Sequence, residues 1–349
     1  MAALVSDTTL KAEAEKNASI RRFFYRQLFL TPTLPHDVNL NGKTAIVTGA
    51  NTGIGLETAR QLLDLGLSKL IIAVRDESKG QKASTNLSPG RDLKNVTIEV
   101  WNLDMLSYDS ITAFAERAKT LERLDIAVLN AGIMKQTHAT TSSTGHEDTI
   151  QVNFLSTALL TILLLPILKA KAKANEPGHL VWVQSEMAFW AKFKEKDSTP
   201  LLPAFDKPET FNNPDRYSTS KLLGQLFVIE LTKRVPASVA IITMPTPGWC
   251  HSTALGTIPG LHIGQMIVNG IKRILGRPVA VGARAVTDGA VQSADAHGQF
   301  LQECKIQAQA PFVYKDESGR VTKLLWEETM AELSFARAED IVRELDEGN

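Results

Sequence analysis

Apolar positions follow two alternating rhythms along this chain. Compact β-branched or apolar runs stand at Thr44-Ala45-Ile46-Val47-Thr48, Leu70-Ile71-Ile72-Ala73-Val74-Arg75, Val96-Thr97-Ile98-Glu99-Val100-Trp101, Asp125 to Leu129, Leu180 to Gln184 and Ser238 to Met244. Each predicts a strand, and Phe312-Val313-Tyr314 is a candidate seventh. Between them the period lengthens to that of a helix, as in Leu56 to Leu67, where Leu56, Ala59, Leu62 and Leu63 share a face and Gly66 supplies a left-handed C-cap. Strands alternating with helices predict an α/β domain with a doubly wound parallel sheet. Ligands of such sheets bind beyond the carboxyl ends of the strands, so candidate site residues should follow strands.

The pattern departs from this alternation in four places. Residues 1–39 read as an N-terminal helical extension, ended by Thr31-Pro32-Thr33-Leu34-Pro35 because proline cannot continue a helix. Within it, Arg21 to Leu30 is basic and aromatic, which suits either a membrane-surface helix or one packed on the main domain or a partner subunit; Glu13 and Glu15 nearby favour packing. Val152 to Leu168 is the most apolar stretch, but it is short for a bilayer and contains Pro166, so it reads as a buried helix or a subunit interface. Glu186 to Asp215 is an irregular loop with Phe189, Trp190, Phe193 and several prolines, and loops of that length inside a domain are usually functional. Gly256 to Pro278 mixes glycines with apolar residues and reads as a lid or a plain surface helix, before helical periodicity returns over Val279 to Ala296. Residues 40–315 thus form one domain and 316–349 a charged helical tail.

The first strand runs into Gly49-Ala50-Asn51-Thr52-Gly53-Ile54-Gly55 and then a helix, the frame of a phosphate-binding βαβ unit. Gly49 allows a tight exit from the strand, Gly53 lets backbone N–H groups approach a pyrophosphate, and Gly55 lets helix and strand pack closely. The helix start then favours an anion. A glycine-rich turn serving packing alone is the alternative. At the end of the second strand, where a ribose-reading residue is expected, stands Arg75, whose guanidinium matches the 2′-phosphate of NADP(H). Asp76 beside it leaves NAD(H) open.

Composition narrows the partners. Acidic and basic residues balance at 38 each, so no basic field recruits nucleic acid, and a small molecule is the expected partner. Cys250 and Cys304 make no disulfide framework, and the histidines and cysteines show no ligand-like grouping, so no metal is expected. With no secretory leader read in the first residues, the expected location is the cytoplasm.

Taken in order, Thr48-Gly49-x-x-x-Gly53-x-Gly55, Asn130-Ala131-Gly132, Asn153, Ser185, Tyr217-x-x-x-Lys221 and Pro247-Gly248 resemble the short-chain dehydrogenase/reductase family over Leu40 to Tyr314. The glycine run, Arg75-Asp76 and the long gap from Ser185 to Tyr217 are similar to the retinol dehydrogenase-like branch, and to fungal secondary-metabolite reductases. The chain departs from the pattern at Gln184, where a serine is common, and in lacking the branch's N-terminal membrane span.

The resemblance implies a Rossmann fold, NADP(H), a dimer or tetramer, and interconversion of a carbonyl and an alcohol; the aromatic loop points to a fairly apolar molecule as the substrate. It implies Tyr217 as acid or base, Lys221 binding the nicotinamide ribose and lowering the phenol's pKa, Ser185 bonding the substrate oxygen, and Asn153 anchoring a water relay. It implies a cofactor site of Gly49, Asn51, Thr52, Gly53, Ile54, Gly55, Arg75, Asp104, Asn130, Ala131, Gly132, Tyr217, Lys221, Pro247, Gly248 and Ser252. Simpler roles stay open for several: Ser185 and Asp104 as helix caps, Asn153 as a buried polar group, Asn130 to Gly132 and Pro247-Gly248 as turns. A non-redox nucleotide-binding protein, or a cyclase-like catalyst on the same scaffold, is the alternative function.

Overall fold

The computed structural model describes residues 7–92, 94–173, 176–251 and 275–347. Its strands are β1 (Thr44–Thr48), β2 (Lys69–Val74), β3 (Thr97–Asn102), β4 (Ile126–Leu129), β5 (Gly178–Trp182), β6 (Ala240–Thr246), β7 (Gln299–Gln302) and β8 (Lys305–Gln307). They form one sheet in the order β3-β2-β1-β4-β5-β6-β7-β8, parallel throughout except for the antiparallel β8. The chain runs outward from β1 to β3, then returns to lay β4 on the other side of β1. That reversal opens a crevice at the carboxyl ends of β1 and β4.

Every residue of β1, β4 and β6 is buried, which is why these strands read as continuous apolar runs. Successive side chains still face opposite ways. Ile46 joins a core on one face with Phe154, Trp182 and Phe227, while Ala45 and Val47 join the other with Leu62, Leu70 and Ile72.

The helices are α1 (Asp7–Asn17), α2 (Ile20–Phe29), α3 (Gly53–Asp64), α4 (Glu77–Leu87), α5 (Tyr108–Ala118), α6 (Ser156–Lys171), α7 (Asn213–Leu231), α8 (Val279–Gly289), α9 (Ser318–Glu332) and α10 (Ala338–Glu347). Just before α6, the helical path loosens into a π-turn over Gln151–Leu155. The run Asp148–Lys171 is long and apolar enough to cross a membrane, and 89% of its most apolar window is buried inside the protein. α10 packs along α6, so much of the apolar surface of α6 is covered within this chain.

Two expectations are corrected and one is met. Phe312 and its neighbours are not a strand: Pro311–Tyr314 is a 3₁₀ turn, and the seventh strand is Gln299–Gln302, whose brief apolar centre of Phe300 and Leu301 is recruited by pairing with β6. Tyr217 lies inside α7, which starts at Asn213, capped by Asn212, which accepts from Asp215 N at 3.3 Å, with Pro214 in the first turn. The aromatic loop folds into short 3₁₀ turns whose Phe193 and Phe205 are fully buried, with Phe193 packed between Phe205 and Phe312, so they serve the core. The extension does pack on the domain, but α2 buries Arg26 and Gln27 while Tyr25 and Phe29 stay exposed. The glycine-rich segment Gly256 to Pro278, read as a lid or a plain surface helix, lies mostly outside the described residues.

Candidate active site

At the crevice lies a cavity of about 520 Å³. It is lined after β1 by Gly49, Asn51, Thr52, Gly53 and Ile54, after β2 by Arg75, and after β3 by Asp104. Asn130, Ala131 and Gly132 contribute after β4, Pro247 after β6, and Tyr217 and Lys221 from α7. Gly55, Asn153, Ser185 and Gly248 are not among its lining residues, and Ser252 lies outside the described residues.

The three glycines differ in what they permit. Gly49 has φ +65°, and a Cβ there would meet Ala131 Cα at 3.1 Å. Gly53 has φ +61° with nothing within 4 Å of its missing Cβ, which leaves the N-terminus of α3 open to the cavity. Gly55 is steric: its Cβ would lie 2.5 Å from Asn130 Nδ2 and 2.6 Å from Gly49 O. Thr52 precedes α3 without a side-chain cap, so the first-turn N–H groups gain no side-chain acceptor there.

Arg75 is exposed and has no ion pair among the described residues. Asp76 instead caps α4, accepting from Lys79 N at 3.1 Å and pairing with Lys79 Nζ at 3.5 Å. Asp104 accepts from Leu106 N at 3.0 Å, so it caps the next turn while also lining the cavity.

Tyr217 and Lys221 stand one helical turn apart, with Lys221 Nζ 5.9 Å from the phenol ring centre. Lys221 Nζ donates to Val183 O at 2.9 Å. Burial pushes the Lys221 ammonium down to about 8. Burial also raises the Tyr217 phenol above its ordinary value, and the hydrogen bond with Ser185 is the influence that lowers it. Removing the phenolate from water is the larger influence, so the phenol stands above its ordinary value. Ser185 also caps the short turn Glu186–Trp190, accepting from Met187 N at 3.2 Å.

Asn153 sits in the π-turn and clamps the loop after β4. Its Oδ1 accepts from Ile133 N at 2.8 Å, and its Nδ2 donates to Ile133 O at 2.8 Å and Ser220 Oγ at 3.0 Å.

The family model described as short chain dehydrogenase matches residues 43–194. The short-chain dehydrogenase fogG of Aspergillus ruber is 48% identical over 97% of this chain and 99% of its own. The chain belongs to the short-chain dehydrogenase family. A short chain dehydrogenase/reductase, mfmJ of Annulohypoxylon moriforme, is 41% identical over 93% of this chain and 94% of its own. Among solved structures, a short chain dehydrogenase from Shigella flexneri superposes with TM-score 0.55 at 21% identity, covering 78% of this chain and 94% of that one. One from Escherichia coli CFT073, complexed with NADPH, gives 0.52 at 22%, covering 77% and 99%.

Two further residues of this short-chain dehydrogenase shape the site. Thr48 Oγ1 accepts the N–H groups of Asn130 and Ala131, both at 2.9 Å, and its carbonyl accepts Asn130 Nδ2 at 2.9 Å, fastening the two strand ends that bound the crevice. A hydroxyl closing an apolar strand was the available signal. Lys135 lines the cavity and pairs with Asp148 at 2.9 Å. It follows Gly132 in a loop with no pattern of its own.

Proposed function

We propose that this short-chain dehydrogenase is an NADP(H)-dependent oxidoreductase that interconverts a carbonyl and an alcohol on a fairly apolar small molecule, with Tyr217 as acid or base. The observation that carries the proposal is that Tyr217 and Lys221 line the same cavity as the glycine turn. The fungal origin of its relatives supports a substrate from secondary metabolism.

The residues present fit the dinucleotide. The open space at Gly53 and the uncapped start of α3 suit a pyrophosphate, and Arg75, without an ion pair among the described residues, suits a 2′-phosphate while Asp76 is engaged as a cap. Gly49, Asn51, Thr52, Ile54 and Gly55 would hold the diphosphate with Gly53. Asp104 and Asn130 to Gly132 would flank the cofactor, and Lys221, Pro247, Gly248 and Ser252 its nicotinamide end. The E. coli structure named as an NADPH complex supports the same choice. Bound there, the cofactor supplies or accepts the hydride.

The chain's own residues handle the proton. Burial keeps the Tyr217 phenol protonated, the form that donates to a carbonyl oxygen as that oxygen gains charge. In the reverse direction it must accept a proton, which Ser185 favours by stabilising the phenolate. Lys221, anchored on Val183 O, holds its charge at the cavity wall. Asn153 fixes Ile133, which also lines the cavity, from both sides of its peptide groups. Met105, Leu106 and Val152 add apolar surface, and these residues, rather than the loop aromatics, support an apolar substrate.

The test is NADPH oxidation in a screen of apolar carbonyl compounds, with NADH in parallel. Tyr217→Phe should lower kcat by about 10²–10⁴-fold while NADPH still binds. Unchanged turnover would remove Tyr217 from the mechanism, and NADPH binding without turnover of any compound would favour the non-redox alternative.

A further inference from the structure

One helix from the N-terminal extension holds two separate parts of the site. Gln27 of α2 is 6% exposed, and its amide closes on the main chain after β6. Nε2 donates to Trp249 O at 2.7 Å and Leu275 O at 3.2 Å, and Oε1 accepts from Trp249 N at 3.2 Å. The neighbouring Gly248 has φ +73°, and a Cβ there would lie 3.1 Å from Gln27 Oε1. Arg277 Nη1 would be nearer still, at 2.8 Å, so the turn after Pro247 packs against both Gln27 and Arg277.

Arg26, 3% exposed, reaches the other part. Its Nη2 donates to Asn17 O at 3.0 Å and lies 3.4 Å from Glu186 Oε2. Glu186 directly follows Ser185 and also accepts from Gln302 Nε2. Trp190, at the far end of the same turn, donates to Ala18 O at 2.7 Å and packs edge-on against Phe23 at 5.3 Å. Arg277 joins the two parts, donating through Nη2 to Arg26 O at 2.7 Å, Leu30 O at 2.9 Å and Glu303 Oε1 at 2.7 Å.

A helix kept only to cover a core buries its apolar side. α2 departs from this: Phe23 and Phe24 are half-buried, but Phe29 is 71% and Ile20 64% exposed, while a guanidinium and an amide go fully inside, where they are costly unless bonded. The departure has a reason if the inward face exists to bond polar main chain and a buried carboxylate at the site.

We propose that α2 is a clasp on the active site, with Gln27 and Arg26 as positioning residues: Gln27 sets the Pro247 to Trp249 turn against the cofactor, and Arg26, through Glu186, sets the turn that presents Ser185. The proposal rests on the function given above. It assigns the two residues different kinetic signatures, because one acts on cofactor binding and the other on the proton-handling side.

The experiment titrates NADPH by its fluorescence into the full-length wild type, Gln27→Met, Gln27→Asn, Arg26→Lys and Tyr25→Ala, and measures kcat at saturating NADPH with a carbonyl compound from the screen. Gln27→Met keeps the volume and removes all three bonds, so its NADPH Kd should rise about tenfold with kcat within about threefold. Gln27→Asn should fall between it and the wild type, and decides the matter if the methionine variant does not fold. Arg26→Lys should lose about tenfold in kcat with NADPH Kd kept. Tyr25→Ala, an exposed change on the same helix, should alter neither. An unchanged Kd in a folded Gln27 variant overturns the clasp, as does an equal loss of Kd and kcat in every variant, which marks general loosening. A wild type that fails to bind NADPH overturns the proposed function first and the clasp with it.

Discussion

At the residue scale, the decisive pair is a phenol and an ammonium that burial treats alike. Both are pushed toward neutrality, the phenol upward and the Lys221 ammonium down to about 8. A lysine so placed weakens the fold in order to serve the site, and the sign can be worked out. Below pH 8 the native state carries the buried charge; between about 8 and 10.5 only the unfolded chain does, so native stability recovers over that window. Lys221→Met should therefore stabilise the protein at pH 7 by up to ~3 kcal/mol, less the lost bond to Val183 O, at about 1.4 kcal/mol per pKa unit. Chemical denaturation at pH 7 and pH 10 checks this: the variant's advantage should shrink at the higher pH while its activity is lost at both. The roles of Gly49, Gly53 and Gly55 could be argued from their order alone, because a turn between strand and helix imposes the same demands in any chain. The role of Thr48 could not, since it depends on β4 lying beside β1.

At the element scale, the C-terminal helices change what α6 is. The composition of α6 suits an interface, but α10 lays Val342 and Leu345 into the same core cluster as Leu159 and Leu165. Leu345 is 4% exposed, so Leu345→Ala should cost about 2–5 kcal/mol, read as a lower urea midpoint. A stability within about 0.5 kcal/mol of wild type would show that α10 is dispensable to the core. Helix α2 makes the complementary point: its amphipathic sequence is genuine, but the site, not the core, decides which side faces in. The 3₁₀ turns after Ser185 were likewise unreadable, because phenylalanines that close a core and phenylalanines that line a pocket have the same composition.

At the scale of the whole molecule, distant segments meet at His146. Its Nδ1 lies 3.0 Å from Asp206 Oδ2, in the loop after Ser185, and its Nε2 3.4 Å from Glu332 Oε1 at the end of α9. Burial alone would lower its pKa, but the two carboxylates outweigh burial and raise it to about 9. A group bound more tightly by its proton when folded stabilises fully below the unfolded value of about 6.5 and loses that contribution as pH rises through about 9. The wild-type Tm should therefore fall between pH 7 and 9.5 relative to His146→Gln, in scanning calorimetry. Equal pH dependence of the two proteins would exclude His146 as the joint. None of these three segments signals the others in sequence; 186 residues separate His146 from Glu332, and only the folded sheet brings them together.

What the sequence determined by itself is whatever depends on neighbours along the chain: the strands β1 to β6, the glycine turn, the one-turn spacing of Tyr217 and Lys221, and the placement of Asn130 and Ser185 after strands. Such features rest on local backbone geometry and side-chain period, which few residues suffice to specify. What only the tertiary structure decided is which groups share an environment: the phenol raised by burial, Asp76 used as a cap, the loop aromatics spent on the core, and a helix from the extension reaching the site with its polar side. Burial and pairing depend on what arrives from elsewhere in the chain, and that is set when the sheet closes its order, not when each element forms.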